Sequence, residues 1–249
     1  INFTQIFQDS LNFMRNQRKT VLLFVGIFIA SQFINALVSV PMPSLGNNPD
    51  PSLQDIINAL SKVDPTALIG SFIFQQLLMS FIATFGIATI HHISQQNQNP
   101  INQGLMLTLR RFLGVVVLDI FMSLPLLFGM VDVVSSFLSK NALSPLAFVS
   151  MVLGLFFFVR LCLSPVHYIA SYQSIGQSAL QVWRAGIKRN GVLITYALIT
   201  YLFLPLLANS IGTTLGTSFL SVIFGILVAL FQMFILVFTY RFYSLFMKA

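Results

Sequence analysis

Long apolar runs alternate with short polar connections along this chain. Six runs are long enough to form membrane-spanning helices: Val21–Val40, Ala67–Ile90, Phe112–Met130, Leu146–Leu163, Gly191–Ala208 and Phe219–Thr239. A helix rises about 1.5 Å per residue, and the hydrocarbon core of a bilayer is about 30 Å thick. The pattern therefore predicts an all-α, polytopic membrane protein with six transmembrane helices.

Three eight-residue blocks share a frame in which Gln is first, Leu or Met is fourth and Arg is last. The blocks are Gln8–Arg15, Gln103–Arg110 and Gln177–Arg184. Apolar residues around each block recur every three or four positions, as they do on one face of a helix. Short helices of this kind, with basic residues at their ends, lie flat at a membrane interface. We therefore predict three interfacial amphipathic helices, each followed by an odd-numbered span.

This arrangement predicts a single transmembrane domain, 1–249, with a pseudo-threefold repeat. The repeat units have approximate bounds 1–92, 93–171 and 172–249. The second block fits the shared frame less well than the other two. Residues 41–66 form the long external loop, and Ser144-Pro145 predicts a cap and first turn for the fourth span.

Basic residues lie almost entirely on one side of this topology. Six spans return the chain to its starting side, and all 13 Lys and Arg residues except Lys62 and Lys140 fall there or in the inner part of a span. Because basic residues resist translocation, the bias places both termini in the cytoplasm.

Composition supports membrane insertion and excludes several functions. The sequence is 56% hydrophobic and only 8% charged, unlike a soluble domain. The positive-inside pattern and attraction to anionic lipid explain the net charge of +7. Nucleic-acid binding is not expected, because no zinc-finger spacing or aromatic-basic module is present. With Cys162 as the single cysteine, no intrachain disulfide can form.

The sequence also argues against an enzyme and against a cofactor. It contains no Glu, no Gly-rich phosphate loop, no GxSxG elbow and no pair of catalytic carboxylates. His91, His92 and His167 fall near the inner ends of their spans. A metal site would need them to converge with Cys162 or a carboxylate, and interfacial histidines are commoner, so we expect no metal site.

Two charged residues, Asp119 and Arg160, lie within predicted spans. At helical rise they are about 10 Å and about 9 Å from the same cytoplasmic boundary. An isolated charge inside a membrane is costly, so we predict that the two form a charge pair. Such a pair is either a structural bridge between adjacent spans or the lining of a polar cavity or lipid head-group site. Alternatively, Arg160 reaches a lipid phosphate alone.

Other polar residues within or beside the spans are candidates for two kinds of site. Helical spacing selects as cavity candidates Gln76, Ser80 and Thr84 on the second span and Ser164 and His167 on the fourth. Gln232 on the sixth span is a further candidate. Small polar residues also mediate ordinary helix packing in membranes, which explains these positions equally well. The candidates for lipid head groups are Arg15, Arg18, Lys19, Arg110, Arg111, Arg184, Lys188 and Arg189.

Two local motifs carry family resemblances. Asn12-Phe-Met-Arg-Asn-Gln17, together with the six-span layout and the long first external loop, resembles the YciC-like family of gammaproteobacterial inner-membrane proteins. More distantly, Arg160-Leu-Cys-Leu-Ser-Pro165, followed by Ala179-Leu180 and Trp183, is similar to the membrane domain of some glycerophosphodiester phosphodiesterases. Their soluble catalytic barrel has no counterpart here, so their activity is not implied. The first resemblance implies a bacterial inner-membrane location and a role in envelope maintenance.

We therefore expect a non-enzymatic inner-membrane protein, with both termini cytoplasmic, that interacts with phospholipids or with an envelope protein partner. Its expected role is to help maintain the cell envelope. The alternative is a transporter or channel for a small polar or amphiphilic solute that moves along the polar stripes.

Overall fold

The computed structural model of the chain describes residues 1–40, 64–138, 144–207 and 218–248. Its α-helices are α1 (Phe3–Asn16), α2 (Arg18–Val38), α3 (Pro65–Ser94), α4 (Pro100–Leu138), α5 (Pro145–Leu161), α6 (Ser164–Ser171), α7 (Ile175–Ala185), α8 (Asn190–Ala197) and α9 (Ser218–Lys248). A π-helical segment, Leu198–Phe203, continues α8. Helix is the only regular secondary structure in these four ranges, which confirms the predicted all-α class.

Six segments of the described chain are long and apolar enough to cross a membrane, as predicted. They are Arg18–Val38, Thr66–Ser94, Pro100–Val133, Pro145–Ser171, Asn190–Leu207 and Ile223–Lys248. Many of their outward-facing side chains are apolar and exposed on the protein surface. Leu37 and Leu113, for example, are 86% and 77% exposed. Lipid is the solvent that suits such surfaces. Most of the predicted external loop, residues 41–63, lies outside the described residues.

Two spans begin with the same local device, a polar cap followed by proline. The Asp64 carboxylate accepts a hydrogen bond from the Thr66 amide at 3.0 Å, and Ser144 Oγ accepts one from the Leu146 amide at 3.1 Å. A proline follows each cap. It has no N–H, but an N–H in the first turn of a helix has no acceptor within the helix, and the fixed φ of proline suits a helix start. The predicted cap at Ser144 is therefore confirmed.

The prediction of a second, separate interfacial helix is wrong. Residues Gln103–Arg110 form the first part of α4, which continues without a break for 39 residues, a length of about 58 Å at helical rise. In the other two units the backbone leaves helical geometry between block and span, at Gln17 and at Lys188, which has a φ of 70°. No comparable break follows Arg110. The pseudo-threefold repeat stays a prediction.

The helices pack around α9, which contacts α1, α2 and α3, while α4 lies between α3 and α5. The α1 helix lies along the C-terminal half of α9, where the Phe3 and Phe242 rings stack with centroids 5.7 Å apart. Both termini therefore lie at one end of the bundle. We name it the basic end, because its exposed cationic residues include Arg15, Arg18, Lys19, Arg110, Arg184 and Lys188.

Candidate functional site

A half-buried carboxylate, that of Asp119, faces a cavity inside the bundle. Ser80 Oγ on α3 donates a hydrogen bond of 2.9 Å to this carboxylate on α4. The cavity has a volume of about 220 Å³, and we name it the central cavity. Its polar lining consists of Ser80, Thr84, Asp119, Cys162, Thr200, Tyr201 and Thr239. The site therefore combines one carboxylate with several hydroxyl groups inside an otherwise apolar bundle.

The π-helical segment supplies Thr200 and Tyr201 to the central cavity. This widened turn ends just before Pro205, which has no N–H to donate to the carbonyl four residues earlier, that of Tyr201. A π turn accommodates the lost bond, and such turns occur frequently at functional sites. The sequence signal that could have located this part of the site is the proline itself.

A second cavity of about 310 Å³ adjoins the first, because Ala83, Ile235 and Leu236 line both. It is mostly apolar. Gln232 lines it, and its Oε1 atom is buried without a hydrogen-bond partner in the described structure. Together the two cavities form a polar pocket with an apolar extension.

The predicted polar stripe converges only in part. Ser80 and Thr84 line the central cavity, and Thr84 Oγ1 also donates to the Ser80 carbonyl at 2.7 Å. Gln76, one turn earlier on α3, is exposed on the outer surface instead. Ser164 is buried, with an exposure of 1%, but it is not part of the cavity lining.

His167 has local partners at the basic end. Its Nδ1 lies 2.9 Å from the Tyr243 hydroxyl, and its Nε2 lies 2.7 Å from Gln181 Oε1. His91 makes a similar contact of 2.9 Å with the Tyr240 hydroxyl. Both histidines thus join a helix of the bundle to α9 through a tyrosine. No sequence pattern indicates these pairs, since their members lie far apart in the chain.

Arg160 on α5 is buried, with an exposure of 4%. Its Nη1 donates to Asn190 Oδ1 and its Nη2 donates to the Trp183 carbonyl, each at 2.7 Å. The guanidinium carbon also lies 4.7 Å from the centroid of the Trp183 ring. Arg160 therefore joins α5 to α7 and to the start of α8.

The predicted charge pair between Asp119 and Arg160 is not formed. Asp119 is bonded to α3, whereas Arg160 points toward α7 and α8. The physical reason is that the last carbonyls of a helix lack partners within that helix and carry partial negative charge. Those of α7 lie within reach of Arg160. Gly186 leaves room for this approach, since a Cβ atom there would lie 2.7 Å from Arg160 Nη1.

Arg160 lies at the edge of an apolar groove on the outside of the bundle. This groove, the Arg160 groove, has a volume of about 660 Å³ and runs between α5 and α8. Its residues include Leu155, Phe158, Asn190, Ile194, Leu198 and Leu202. From Asn190 to Leu202 it extends about 18 Å at helical rise. Arg160 and Asn190 lie at its basic end, and Tyr201 also lines it.

The predicted head-group residues divide into two sets. Those that are exposed are Arg15, Arg18, Lys19, Arg110, Arg184 and Lys188. Arg111 is instead held by the protein, because its Nη1 donates to the carbonyls of Tyr168 and Gln173. Arg189 Nη1 likewise donates to the Phe246 carbonyl at 3.1 Å. The exposed set is available to ligands, although Arg18 Nε already donates to the Arg15 carbonyl at 3.2 Å.

These features define a multi-pass helical membrane protein with an internal carboxylate and an outer apolar groove. The chain is 40% identical over 248 residues to an uncharacterized protein of Haemophilus influenzae (strain ATCC 51907 / DSM 11121 / KW20 / Rd), covering 100% of this chain and 99% of the relative. It therefore belongs to the same bacterial family. No protein-family model matches the chain. No solved structure gives a significant match. The YciC-like and phosphodiesterase resemblances stay predictions.

Proposed function

We propose that this protein binds an anionic phospholipid in the Arg160 groove and thereby contributes, without catalysis, to maintenance of the cell envelope. The observation that carries the proposal is the groove itself, which joins an apolar wall to Arg160 and Asn190 at its basic end. A phospholipid has the matching form, with an acyl chain at one end and a phosphate at the other.

The charge of Arg160 favours a phosphate over a purely apolar occupant. No acidic side chain in the described structure forms an ion pair with its guanidinium, whose partners are an amide oxygen and a carbonyl. An uncompensated cation at membrane depth is costly. A guanidinium has five N–H donors, and these partners use two of them. A lipid phosphate would supply both the missing charge and further acceptors.

The apolar wall alone would give little selectivity, because lipid tails are as apolar as leucine. Selectivity for an anionic lipid therefore rests on the polar end of the groove. Arg184 in the last turn of α7 and Lys188 in the segment that links α7 to α8 are both exposed. They are close in sequence to Trp183, whose carbonyl accepts a hydrogen bond from Arg160. The positive-inside bias supports an orientation in a bacterial inner membrane in which this end and both termini face the cytoplasm.

The test is lipid retention during gentle extraction of the protein from its own membrane, measured by native mass spectrometry. We expect stoichiometric phospholipid on the parent protein and on Arg15→Gln, a control whose exposed side chain is not part of the groove lining. The Arg160→Gln protein should retain several-fold less phospholipid. Equal retention by Arg160→Gln and the control would contradict the proposal. Charge reversal at Arg15, Arg110 and Arg184 together should weaken the retention of anionic lipid, and unchanged retention would show that the basic end as a whole does not contribute.

A second candidate function is transport of a small polar or amphiphilic solute through the bundle. The observation that favours it is Asp119, an intramembrane carboxylate beside two adjoining cavities. Such residues commonly line substrate or ion pathways. Ser80→Cys and Thr200→Cys, each in a Cys162→Ala background, should react with a water-soluble thiol reagent. Thr108→Cys, buried outside both cavities, is the control. No reaction at Ser80→Cys and Thr200→Cys from either face would argue against transport.

A further inference from the structure

A polar cleft of about 400 Å³ opens at the basic end between α1, the end of α3 and α9. We name it the α1 cleft. Its charged and amide residues are Asp9, Asn12, Asn16, Gln17, Gln96 and Arg241. Asp9, Asn12 and Asn16 are spaced by three and four residues, so they share one face of α1. None of the cleft residues lines the Arg160 groove or the central cavity. The cleft is therefore a separate site.

Arg241 has a guanidinium with unused hydrogen-bonding capacity. Its Nε atom is buried and has no hydrogen-bond partner in the described structure. The guanidinium carbon lies 5.9 Å from the centroid of the Phe13 ring, which is also part of the cleft. Leaving a buried donor unsatisfied costs about 1–3 kcal/mol. A planar guanidinium is suited to phosphate or carboxylate oxygens.

Asp9 adds the opposite charge to the same cleft. Its side chain is half-buried, and the carboxylate forms no ion pair with Arg241 or with another described residue. A simple anion bound at Arg241 would be repelled by Asp9, and a simple cation bound at Asp9 would be repelled by Arg241. A ligand that carries both charges satisfies both residues. The nearby amides of Asn12 and Asn16 offer donors and acceptors to its neutral oxygens.

We propose that the α1 cleft binds a zwitterionic phosphoethanolamine group, with the phosphate on Arg241 and the ammonium on Asp9. The location favours phosphate over carboxylate as the anionic part, because α1 is an amphipathic helix of the type that lies among lipid head groups. The group can come from a membrane lipid or from a soluble phosphodiester. The proposal goes beyond lipid binding in the Arg160 groove and does not depend on it.

The first experiment titrates the purified protein, in an uncharged maltoside detergent, with sn-glycero-3-phosphoethanolamine or with sn-glycero-3-phosphoglycerol, a phosphodiester with the same phosphate charge and no amine. Isothermal titration calorimetry reports the affinity. We expect the ethanolamine compound to bind about tenfold more tightly, the effect of one added charged hydrogen bond.

Arg241→Gln should lower the affinity of the protein for both compounds. Asp9→Asn should remove the preference for the amine while leaving phosphate binding intact. Arg184→Gln, a basic-end control outside the cleft, should leave both affinities unchanged.

The second experiment identifies the source of the group, with the protein in nanodiscs of phosphatidylethanolamine or phosphatidylcholine. If the lipid itself occupies the cleft, the soluble compound binds only in phosphatidylcholine discs. If the soluble compound is the ligand, it binds equally in both. An unchanged amine preference in Asp9→Asn, or no binding in detergent and in either disc, would overturn the proposal. Arg160→Gln should bind the soluble compound normally, which separates this site from the groove.

Discussion

Gly186 determines whether Arg160 can reach its partners. A Cβ atom at this position would lie 2.7 Å from Arg160 Nη1 and 2.9 Å from Leu193 Cδ1. The flexible guanidinium would have to shift, so Gly186→Ala should weaken its bond to Asn190 without changing any charge. We expect a loss of stability of about 1–3 kcal/mol, measured by denaturant titration in mixed micelles, together with reduced lipid retention.

The adjacent turn offers a matched control for this change. A Cβ atom at Gly191 would meet nothing within 4 Å. Gly191→Ala should therefore keep the stability and the lipid retention of the parent protein. If the Gly186→Ala and Gly191→Ala proteins have the same stability and retain the same amount of lipid, the geometry around Arg160 does not govern lipid binding.

Tyr196 is the largest completely buried side chain at the basic end. Its hydroxyl donates to Thr239 Oγ1 at 3.0 Å, and its ring stacks on Phe242 with centroids 4.2 Å apart. Hydrogen bonds between membrane helices contribute about 0.6 kcal/mol on average, whereas removal of a buried aromatic ring costs about 3–5 kcal/mol. Tyr196→Phe should thus be mildly destabilising and Tyr196→Ala severely so. Equal losses in unfolding experiments would contradict this division.

At the scale of single residues, the sequence located Arg160 and Asp119 as intramembrane charges but not their partners. The acceptor of Arg160 on α7 is the Trp183 carbonyl, a backbone group, and no pattern of side chains reports where a backbone carbonyl lies. The pairing prediction assumed that only an opposite charge could compensate each residue. Ser80 and the end of α7 show that hydroxyl and carbonyl groups also act as hydrogen-bond partners of these residues, without supplying an opposite charge.

At the scale of helices, the α4–α5 pair depends on close approach at two glycines. A Cβ atom at Gly154 would lie 2.6 Å from the Leu126 amide nitrogen, and one at Gly129 would lie 2.7 Å from Met151 Cγ. Small residues allow membrane helices to pack backbone to backbone. Gly154→Ala should push the helices apart and cost about 1–3 kcal/mol.

A glycine of α3 gives the control for helix propensity. A Cβ atom at Gly70 has nothing within 4 Å, so Gly70→Ala should be neutral or stabilising by up to about 1 kcal/mol. Both variants would be compared by denaturant titration in the same micelles. A Gly154→Ala protein as stable as Gly70→Ala would mean that α4 and α5 do not need this contact.

The spans and the capped start of α5 could be predicted from the sequence because apolar length and capping are local properties. Ser144-Pro145 begins α5 as predicted. The continuity of α4 could not be predicted from the sequence. An amphipathic block and an apolar run can form one long helix when no residue between them leaves helical geometry, as in α4. The groove, the central cavity and the α1 cleft arise from tertiary packing between distant segments, which a local pattern does not encode.

At the scale of the whole molecule, the two ends of the bundle differ in character. The aromatic core that includes Tyr196, Phe238, Phe242 and Phe246 lies toward the basic end, where α1 and α7 cover the spans. Toward the other end, side chains such as Phe128 and Phe148 are 65% and 71% exposed. A firmly packed basic end is suited to holding head-group sites in fixed geometry, while the open end relies on the surrounding lipid.

The proposed orientation follows from the same asymmetry and can be tested directly. Cys162 is the only cysteine in the chain and is buried, so a Cys162→Ala protein gives a background without thiols. Single cysteines would replace two exposed residues, Thr66 at the start of α3 and Lys188 at the basic end. In spheroplasts, a membrane-impermeant maleimide should label Thr66→Cys at once but label Lys188→Cys only after lysis. The reverse order would place the basic end outside the cell. Equal labelling of both would be incompatible with a membrane-spanning α3, whose 29-residue span, Thr66–Ser94, separates the two ends of the bundle.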